Sequence, residues 1–368
     1  MKSLLKIGII HPNFDVIGGA EQTTISLLNA LTNTRHNITL YTTTKSINIP
    51  DKIKICHVNK KSFPVGWNLQ RLLDNKKLFK KAENEELLFI SSGNLALTKT
   101  KKTILVYCHS TFEPELRKIQ TKKSGLFSIY HNYIKKQLEI QLQLLQKANV
   151  QLITNSSYTK EKIKELFKKE SNIIFPPVKI EKNNVENSKK LQVVTIARYS
   201  PEKNLEFNLK VMENLNIPYK MFGNAKASSQ LRYYNNLLRA VKNKKQVKLF
   251  CNLERDLIEK HLGSSKVYFQ SSKETFGISV VESIAAGCIP IVPNNTANKE
   301  SVPIEELRYK ENDENDAKKK IEYALKGNFD KHLIELQEYI KKFSEENFQK
   351  NIISYLSKFE KTNNNDFK

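Results

Sequence analysis

Short apolar runs alternate with longer amphipathic segments along most of this chain. In its first half, the apolar runs predict buried strands at LLKIGII, NITLYTT, ELLFIS, KTILVYCHS and VQLITNS, and NIIFPPV closes this half. Apolar residues at helical spacing predict helices at KSGLFSIYHNYIKKQLEIQLQLLQKA and SSYTKEKIKELF, the last capped by a serine, and GGAEQTTISLLNALTNT predicts a glycine loop followed by a helix. Strands and helices that alternate in this way indicate a parallel sheet covered by helices.

The alternation restarts after Pro176-Pro177 and the polar stretch KIEKNNVENSKK. Further strands are predicted at LQVVTIAR, YKMFGN, VKLFCNL, KVYFQSS and CIPIVPNN, with helices at PEKNLEFNLKVMENL, ERDLIEKHLGSS and GISVVESIAAG. The predicted fold class is α/β, with two Rossmann-like, doubly wound domains over residues 1–178 and 179–338. The helical end, residues 339–360, is expected to return to the first domain, and residues 361–368 to form a disordered tail.

Length and composition agree with a globular, two-domain protein. The 368 residues are too many for one ordinary core, and no stretch approaches the roughly 20 apolar residues that span a bilayer. The apolar run in MKSLLKIGIIHP is short and contains Lys6, which favours a first strand over a signal peptide. We therefore expect a cytoplasmic location. The four cysteines lack CxxC spacing, so we expect reduced, buried thiols at Cys56, Cys108, Cys251 and Cys288.

The formal net charge of +23 is unevenly distributed. Residues 1–178 contain 28 Lys and Arg against 13 Asp and Glu, and the remainder contains 33 against 25. A basic first half is typical of a protein with an anionic partner, such as nucleic acid, anionic lipid or a phosphorylated substrate, or of a lysine-rich proteome. The lysines are scattered and no nucleic-acid-binding signature is present, so nucleic acid is not an expected partner.

Two strand ends in the first half carry residues that suggest a ligand site, because ligands of open α/β sheets bind beyond the carboxyl ends of the strands. In HPNFDVIGGAEQ, the N–H groups of Gly18 and Gly19 can approach an anion where a strand passes into a helix. A plain tight turn would have the same sequence. In VYCHSTFEPE, His109 directly follows a buried strand and either contacts a substrate hydroxyl or has a structural role.

Two strand ends in the second half carry charged residues. In TIARYSPEKN, Arg198 closes a strand and Lys203 follows near a helix start, a pair of cations that suits a diphosphate unless both are ordinary surface residues. In KETFGISVVESIAAGCIP, Glu274 precedes the Phe276-Gly277 turn and Glu282 lies on the second turn of the next helix. Two such carboxylates can accept sugar hydroxyls or form a glycosidase-like or acidic-protease-like pair.

The last two stretches together resemble the family-4 retaining glycosyltransferases of the GT-B fold. The family hallmark is Glu, seven residues, Glu, here Glu274 to Glu282, preceded by an R-x4-K pair, here Arg198 and Lys203. Their order and spacing and the two-domain plan match over nearly the whole chain. The resemblance implies two Rossmann-like domains facing across a cleft and a transferase that uses a nucleotide sugar as substrate, with no metal and no other cofactor.

The resemblance also assigns roles to residues of the second half. Arg198 and Lys203 would hold the donor diphosphate, Glu282 the ribose hydroxyls, and Glu274 the transferred sugar. The backbone at Phe276, Gly277 and Ile278 would complete the donor site.

In the first half, the resemblance places Gly18 and Gly19 near the phosphate and the acceptor. It places His109 at the donor sugar, close to the reacting carbon. The family retains the anomeric configuration by same-face attack, with the leaving diphosphate helping to take the acceptor proton. Charge on that leaving group would be stabilised by the two cations of the second half.

Within the family, NIIFPPV and SGLFSIYHNYIKK look most like the mannosyltransferases of lipid-linked oligosaccharide assembly. The expected donor is GDP-mannose, and the expected acceptor is a glycan or a polyprenyl-linked oligosaccharide. A UDP-sugar donor, for surface polysaccharide or glycolipid synthesis, remains an alternative.

A cationic cluster leads into an apolar helical stripe near the middle of the first half. This element could dock the first domain on an anionic membrane, or its stripe could pack into the core. The candidate membrane-contact residues are Lys122, Lys123, Leu126, Phe127 and Tyr130.

Three rival functions follow from the same sequence. A sugar-nucleotide epimerase would share the scaffold but not the R-x4-K pair before the two glutamates. A catalytically silent nucleotide-sugar-binding protein would bind the donor without turnover. A nucleic-acid-binding protein is suggested by charge alone and would show a steep salt dependence.

Overall fold

A computed structural model describes residues 4–59, 67–92, 97–113, 116–117, 128–180, 189–213 and 215–363. The chain divides into two compact units. The first unit consists of Met1–Pro177 and Glu345–Lys368, and the second unit of Val178–Ser344. The sequence pattern placed the boundary after residue 178 and the start of the returning segment at residue 339, whereas the returning segment here starts at Glu345.

The first unit is built on a seven-stranded sheet with the order β3-β2-β1-β4-β5-β6-β7, in which every neighbouring pair is parallel. Its central strands are continuous apolar runs, as expected for a parallel sheet with both faces covered. The strands are β1 (Lys6–Ile10), β2 (Asn37–Thr42), β3 (Lys54–His57), β4 (Leu87–Ile90), β5 (Thr103–Cys108), β6 (Val150–Thr154) and β7 (Ser171–Ile173).

Helices cover both faces of this sheet. The described helices before the boundary are α1 (Gly19–Thr32), α2 (Trp67–Lys81), α3 (Ser128–Leu145) and α4 (Ser157–Phe167). The Ser156 side chain accepts a hydrogen bond from the backbone N–H of Thr159, which confirms the predicted serine cap of α4. The C-terminal helix α12 (Glu345–Asn363) packs against α1 and contributes Phe348 and Ile352 to the core on that face.

The second unit is built on a six-stranded parallel sheet with the order β10-β9-β8-β11-β12-β13. Its strands are β8 (Lys190–Ile196), β9 (Tyr219–Gly223), β10 (Val247–Cys251), β11 (Ser265–Phe269), β12 (Ile289–Pro293) and β13 (Arg308–Tyr309). Its α-helices are α5 (Leu205–Glu213), α6 (Ser228–Ala240), α7 (Arg255–Ser264), α8 (Ile278–Ala285), α9 (Asn298–Ser301), α10 (Glu314–Leu325) and α11 (Lys331–Tyr339). Short 3-10 helices cover Pro201–Lys203, Glu305–Leu307 and Ile340–Phe343.

One predicted helix of the second unit is interrupted. The pattern PEKNLEFNLKVMENL predicted a helix from Pro201, but a 3-10 turn, Pro201–Lys203, comes first and α5 starts only at Leu205. The residue between them, Asn204, has φ of 50° in the left-handed region, which ends the turn because Asn tolerates this conformation better than most residues. The break keeps Lys203 at the strand end instead of carrying it along a helix.

Each sheet contains a point where the strand order reverses. In the first unit this point lies between β1 and β4, and in the second unit between β8 and β11. Ligands of open α/β sheets bind at such points, beyond the carboxyl ends of the strands. A ligand site is therefore expected among the residues that follow these four strands.

Candidate active site

The carboxyl ends of β8 and β11 bring two predicted site residues into contact. Lys203 ends the turn that follows β8, and Glu274 lies in the segment that follows β11. The distance from Lys203 Nζ to Glu274 Oε1 is 2.7 Å, and the two side chains are 20 % and 18 % exposed. The fold thus forms an ion pair between residues that lie 71 positions apart in the chain.

Local hydrogen bonds hold this pair in place. Pro201 starts the 3-10 turn with a fixed φ, and Asn204 ends it. The Ser271 hydroxyl donates to the backbone carbonyl of Asn204 over 2.8 Å, which joins the turn to the segment after β11. The Ser272 hydroxyl donates to Glu274 Oε1 over 2.6 Å. The carboxylate therefore receives two donors from two different strand ends.

These contacts keep Glu274 ionised. Burial by itself would raise the pKa of its carboxyl group, but the charge and hydrogen bond of Lys203, together with the hydrogen bond from Ser272, lower the pKa below its ordinary value. Glu274 therefore carries a negative charge at neutral pH. An ionised carboxylate only accepts hydrogen bonds, which suits a partner that offers hydroxyl groups.

Arg198 lies close to the same carboxylate but is not bonded to it. Its guanidinium pairs with Glu202 at 3.0 Å, and its side chain is 55 % exposed. Its charge still contributes to lowering the pKa of Glu274. The predicted pair Arg198 and Lys203 is therefore found around one carboxylate, with the lysine bonded to it and the arginine directed toward solvent.

A sharp turn leads from Glu274 into α8. Gly277 has φ of +89°, a conformation that an L side chain would adopt only under strain, and it directly precedes the first helical residue, Ile278. Phe276 is buried with its ring 5.0 Å from that of Phe343, and this contact fixes the turn. The helix α8 therefore starts four residues after Glu274, and the free N–H groups at a helix start favour an anion.

Tyr268 fixes the start of α8 to the sheet. Its hydroxyl lies 2.9 Å from Ser279 Oγ, 3.1 Å from Gln270 Oε1 and 3.3 Å from the carbonyl oxygen of Ile196. It thereby connects β8, β11 and α8 at the strand reversal. Burial raises the pKa of the Tyr268 hydroxyl, and Glu274 and Glu282 raise it further, so this phenol lies within the field of both carboxylates.

Glu282 lies deeper, on the second turn of α8, and is almost fully buried. Its Oε1 is 2.5 Å from a terminal nitrogen of Arg255, the first residue of α7. Burial raises the pKa of Glu282 and outweighs the lowering effect of Arg255, so the net direction is upward. Arg255 was not among the residues that the sequence indicated, since ERDL has the appearance of an exposed helix start.

In the first unit, His109 directly follows β5 at a strand end, as predicted. Its Nε2 lies 3.0 Å from the carbonyl oxygen of Ser91. A carbonyl oxygen only accepts, so Nε2 carries the proton and Nδ1 keeps a lone pair in the neutral ring. Burial lowers the pKa of His109 to about 4, with repulsion from His11 adding to the effect, so the ring is neutral at pH 7.

A second histidine, missed by the sequence analysis, lies at the strand reversal of the first unit. His11 directly follows β1 and is buried, with Nε2 at 3.4 Å from Glu21 Oε1. Its Nδ1 lies 2.9 Å from Thr24 Oγ1 and 3.3 Å from Ser91 Oγ. The signal that marked His109, a histidine directly after a buried strand, was also present in KIGIIHP.

The glycine loop of the first unit forms the start of α1. The N–H of Gly18 donates to Glu21 Oε2 over 2.9 Å, so this group is occupied by a carboxylate of the same helix end. Gly18 has φ of −127°, an ordinary extended value, and Gly19 begins α1. In the first unit the structure therefore places a capped helix start at Gly18 and Gly19, and anion binding by their N–H groups stays a prediction.

Other sequence predictions concern residues away from these strand ends. The four cysteines are free thiols, of which Cys108 and Cys288 are buried, whereas Cys56 and Cys251 are only half-buried. In the parts of the chain that the structure describes, no three His, Cys, Asp or Glu side chains are grouped as a metal site would require. Independence from metal stays a prediction.

The candidate membrane-contact segment is largely outside the described ranges. Lys122, Lys123, Leu126 and Phe127 all fall outside them, and Tyr130 is described only in its backbone, as part of α3. None of the helices that the structure describes is long and apolar enough to cross a membrane.

Sequence comparison identifies the class of the second unit. Residues 177–347 match the family described as Glycosyl transferases group 1. This stretch, which contains the Lys203–Glu274 pair and Glu282, is therefore a group 1 glycosyltransferase domain.

The chain also has a relative among known proteins, the GDP-Man:Man(3)GlcNAc(2)-PP-Dol alpha-1,2-mannosyltransferase of Dictyostelium discoideum. The two are 23 % identical over a match that covers 41 % of this chain and 35 % of that relative, about a third of the relative's length.

Solved structures match over almost the whole chain. A glycosyltransferase from Rickettsia africae has a TM-score of 0.67 and 16 % identity, covering 96 % of this chain and 97 % of its own. Sucrose-phosphate synthase from Thermosynechococcus elongatus has a TM-score of 0.76 and 14 % identity, covering 96 % and 98 %. Anabaena HepE, solved with UDP-glucose, has a TM-score of 0.72 and 14 % identity, covering 96 % and 100 %. At these identities the likeness establishes the fold, which is the predicted GT-B fold with its two Rossmann-like domains.

Proposed function

We propose that this protein is a retaining glycosyltransferase, which moves a hexose from a nucleotide sugar to a hydroxyl group of a glycan or a lipid-linked oligosaccharide. The observation that carries the proposal is the Lys203–Glu274 ion pair at the strand reversal of the second unit. It lies within a group 1 glycosyltransferase domain, with Arg198 beside it and the start of α8 next to it.

The donor diphosphate is assigned to Lys203, Arg198 and the start of α8. A lysine supplies a point charge, an arginine supplies a planar fork, and N–H groups at a helix start supply further donors. Charge grows on the diphosphate as its bond to the sugar breaks, and these groups would stabilise it at that moment. Metal would then not be required for this step.

The sugar and the nucleoside are assigned to the two glutamates. Glu274 is ionised and partly exposed, so it can accept hydrogen bonds from hydroxyls of the transferred sugar. Glu282 is assigned to the ribose hydroxyls. Its Oε1 receives a hydrogen bond from Arg255, and Oε2 is assigned to accept a ribose hydroxyl.

His109 is assigned to the donor sugar as a neutral hydrogen-bonding group. In the transfer step, the bond between the anomeric carbon and the diphosphate oxygen breaks, and the acceptor oxygen bonds to the same face of that carbon. The acceptor proton passes to the leaving diphosphate. Because the ring of His109 is neutral at pH 7, it can form a hydrogen bond with the donor sugar without adding a full charge.

GDP-mannose is the proposed donor. This choice rests on the Dictyostelium discoideum relative, whose name specifies GDP-Man and a dolichyl-diphosphate-linked acceptor. A UDP-sugar is the second candidate, since the HepE structure with the same fold contains UDP-glucose. The acceptor class, a glycan or polyprenyl-linked oligosaccharide, has the same support as GDP-mannose.

A donor screen tests the proposal. Purified protein would be incubated with GDP-mannose, UDP-glucose, UDP-GlcNAc and UDP-galactose, with and without a short polyprenyl-diphosphate oligosaccharide, while the released nucleotide is measured. We expect acceptor-dependent release from one donor, with retention of the anomeric configuration in the product. Glu274→Gln should abolish the release, and Glu305→Gln, an exposed glutamate on a 3-10 helix of the same unit, should not.

The outcomes separate the rival functions. Binding of a nucleotide sugar without turnover would favour a catalytically silent binding protein. Conversion of the donor without an acceptor would favour an epimerase or hydrolase. Absence of both binding and release, in a preparation whose folding is verified by circular dichroism, would contradict the donor site.

Contact with an anionic membrane, at the cytosolic face, is proposed as the means of reaching a lipid-linked acceptor. On the described part of α3, Ile129 and Tyr133 lie one turn apart and are exposed, next to the exposed Lys136. Co-sedimentation with vesicles of phosphatidylcholine, with and without phosphatidylglycerol, tests this. Binding should need the anionic lipid and should weaken with salt. It should also be weaker in the double variant that combines Ile129→Ser and Tyr133→Ser. Equal pelleting with both vesicles, or none, would contradict it.

A further inference from the structure

Arg255 forms ion pairs with two acidic residues of the second unit, Glu259 and Glu282. Its Nε lies 2.7 Å from Glu259 Oε1, and one of its terminal nitrogens lies 2.5 Å from Glu282 Oε1. The planar guanidinium therefore uses two of its sides at once, one toward its own helix and one toward α8. The arginine is 43 % exposed, while the Glu282 side chain is 10 % exposed, so the pair extends from the surface to a buried carboxylate.

The position of Arg255 in its helix is unfavourable unless it has a partner. It is the first residue of α7, after the N-cap Glu254. The start of a helix carries partial positive charge, so a cation is disfavoured there and an anion is preferred. Glu282 and Glu259 compensate for this, and the Glu259 contact, at i and i+4, holds the arginine side chain in one orientation.

Glu282 in turn needs a cation to serve as an acceptor of hydroxyl groups. A carboxyl group that is almost fully buried tends to bind a proton, and a protonated carboxyl loses acceptor capacity. The titratable or charged groups that act on Glu282 are Arg255 and Glu259 from α7, with Tyr268 of β11 in its field. Arg255 alone among these three favours the ionised form.

We propose that Arg255 is a positioning residue for donor binding: it engages Glu282 Oε1, fixes the plane of the carboxylate, and leaves Oε2 to accept a ribose hydroxyl. This inference rests on the proposed function. It assigns to Arg255 a role in selecting ribonucleotides, although Arg255 itself need not touch the nucleotide. Lysine would replace it only in part, because a point charge cannot reproduce the fork between Glu259 and Glu282.

Binding of nucleoside diphosphates to the full chain tests the inference. The probes are GDP and UDP and their 2′,3′-dideoxy forms, measured by isothermal titration calorimetry. The wild type should bind the ribose form of its preferred nucleotide more tightly than the dideoxy form. Arg255→Gln should weaken the ribose form about 10-fold, roughly the loss of one good hydrogen bond to a charged group, and leave the dideoxy form unchanged. The affinity of Arg255→Lys for the ribose form should lie between those of the wild type and Arg255→Gln.

A pH series provides a readout that general destabilisation would not produce. Affinity for the ribose form should decrease toward acid as Glu282 gains a proton, and in Arg255→Gln this decrease should occur at a higher pH than in the wild type. Glu282→Gln should show no discrimination between the ribose and dideoxy forms at any pH. Arg232→Gln, an exposed arginine on α6, is the matched control and should behave as the wild type.

Failure of this inference differs from failure of the proposed function. If the wild type prefers the ribose form and Arg255→Gln keeps the same preference and pH profile, Arg255 has no positioning role. If Arg255→Gln weakens the ribose and dideoxy forms equally, its role is structural and the inference is overturned. If neither GDP nor UDP binds to the folded wild type, the proposed donor site is wrong and the inference fails with it.

Discussion

Lys203 and Glu274 are the principal counter-charges of each other: Nζ and Oε1 lie 2.7 Å apart, and each side chain is about four-fifths buried. The cation assigned to the diphosphate and the carboxylate assigned to the sugar are thus one electrostatic unit. Removing either one alters the charge environment of the other. Variants at the two positions should therefore have opposite effects on nucleotide binding.

Lys203→Ala should weaken binding of GDP or UDP by roughly 10-fold to 100-fold, the usual loss of about 1.5–3 kcal/mol for a hydrogen bond to a charged group. Glu274→Gln should bind the same nucleotide as well as the wild type or more tightly, because Lys203 is then no longer neutralised. Calorimetric titration of both variants checks this, with Lys226→Ala, an exposed lysine of the second unit, as control. A parallel loss in the two variants would contradict it.

The ion pair should also make stability depend on pH. The pKa of Glu274 lies below its ordinary value of 4.5, so the folded protein binds this proton more weakly than the unfolded chain. Its contribution to the free energy of unfolding is complete above about pH 4.5 and is lost as pH falls through the lowered pKa. The difference in Tm between the wild type and Glu274→Gln should shrink from pH 7 to pH 3. A constant difference would indicate that the pair is not ionised.

His109 should remain neutral through the physiological range. Its pKa of about 4 lies below the ordinary 6.5, so its contribution to stability is complete above about pH 6.5 and is lost as pH falls toward 4. In an NMR titration, the His109 ring signals should not shift between pH 8 and pH 5.5. His109→Gln should remove the corresponding part of the acid destabilisation. A midpoint near 6.5 for His109 would refute the neutral-ring assignment.

The Tyr268 hydroxyl should contribute to the stability of the second unit. Tyr268→Phe removes the hydroxyl that connects β8, β11 and α8, and leaves Ser279 and Gln270 with one partner fewer. The expected loss in free energy of unfolding is about 1–3 kcal/mol, the range for breaking a buried hydrogen-bond arrangement. Urea denaturation measures it, and Tyr323→Phe, at an exposed position, should show a change near zero.

The C-terminal helix should stabilise the first unit selectively. Ile352 is fully buried against α1, whereas Ile353 is the next residue and is exposed. Ile352→Ala should cost about 2–5 kcal/mol, and Ile353→Ala should cost little. Hydrogen exchange followed by mass spectrometry can locate the loss. Faster exchange in first-unit peptides, with second-unit peptides unchanged, is the expected pattern, and uniform acceleration in both units would contradict it.

Periodicity and residue type predicted where the candidate site residues of the second unit would lie along the chain. The apolar run LQVVTIAR placed a strand end at Arg198, and the run KVYFQSS placed one before Glu274. Parallel strands align their carboxyl ends, so the two sites could be expected at one edge of the sheet. The contact of Lys203 with Glu274 needed, in addition, the left-handed Asn204 that ends the turn, and a helical pattern does not reveal such a break.

The pairing of Arg255 could not be predicted from the sequence pattern. Its partner Glu282 lies 27 positions away on another helix, and the pairing depends on how α7 and α8 pack. The helix α6 was also missed, although its buried residues Tyr233 and Leu237 lie four positions apart, the spacing that predicts an amphipathic helix. His11 is a different case, since the rule that selected His109 would have selected it as well.

The first unit is discontinuous in the chain, and this has a consequence for synthesis on the ribosome. Its sheet and first helices are made early, but α12, which covers the apolar face of α1, is made only after all of Val178–Ser344. Domains tend to fold as units while the chain emerges, N-terminal parts first. Here the later-made second unit has its complete sequence before the first unit does. Until α12 has been synthesised, the apolar face of α1 in the nascent first unit stays uncovered. The first unit is therefore the part of the nascent chain most in need of chaperone protection.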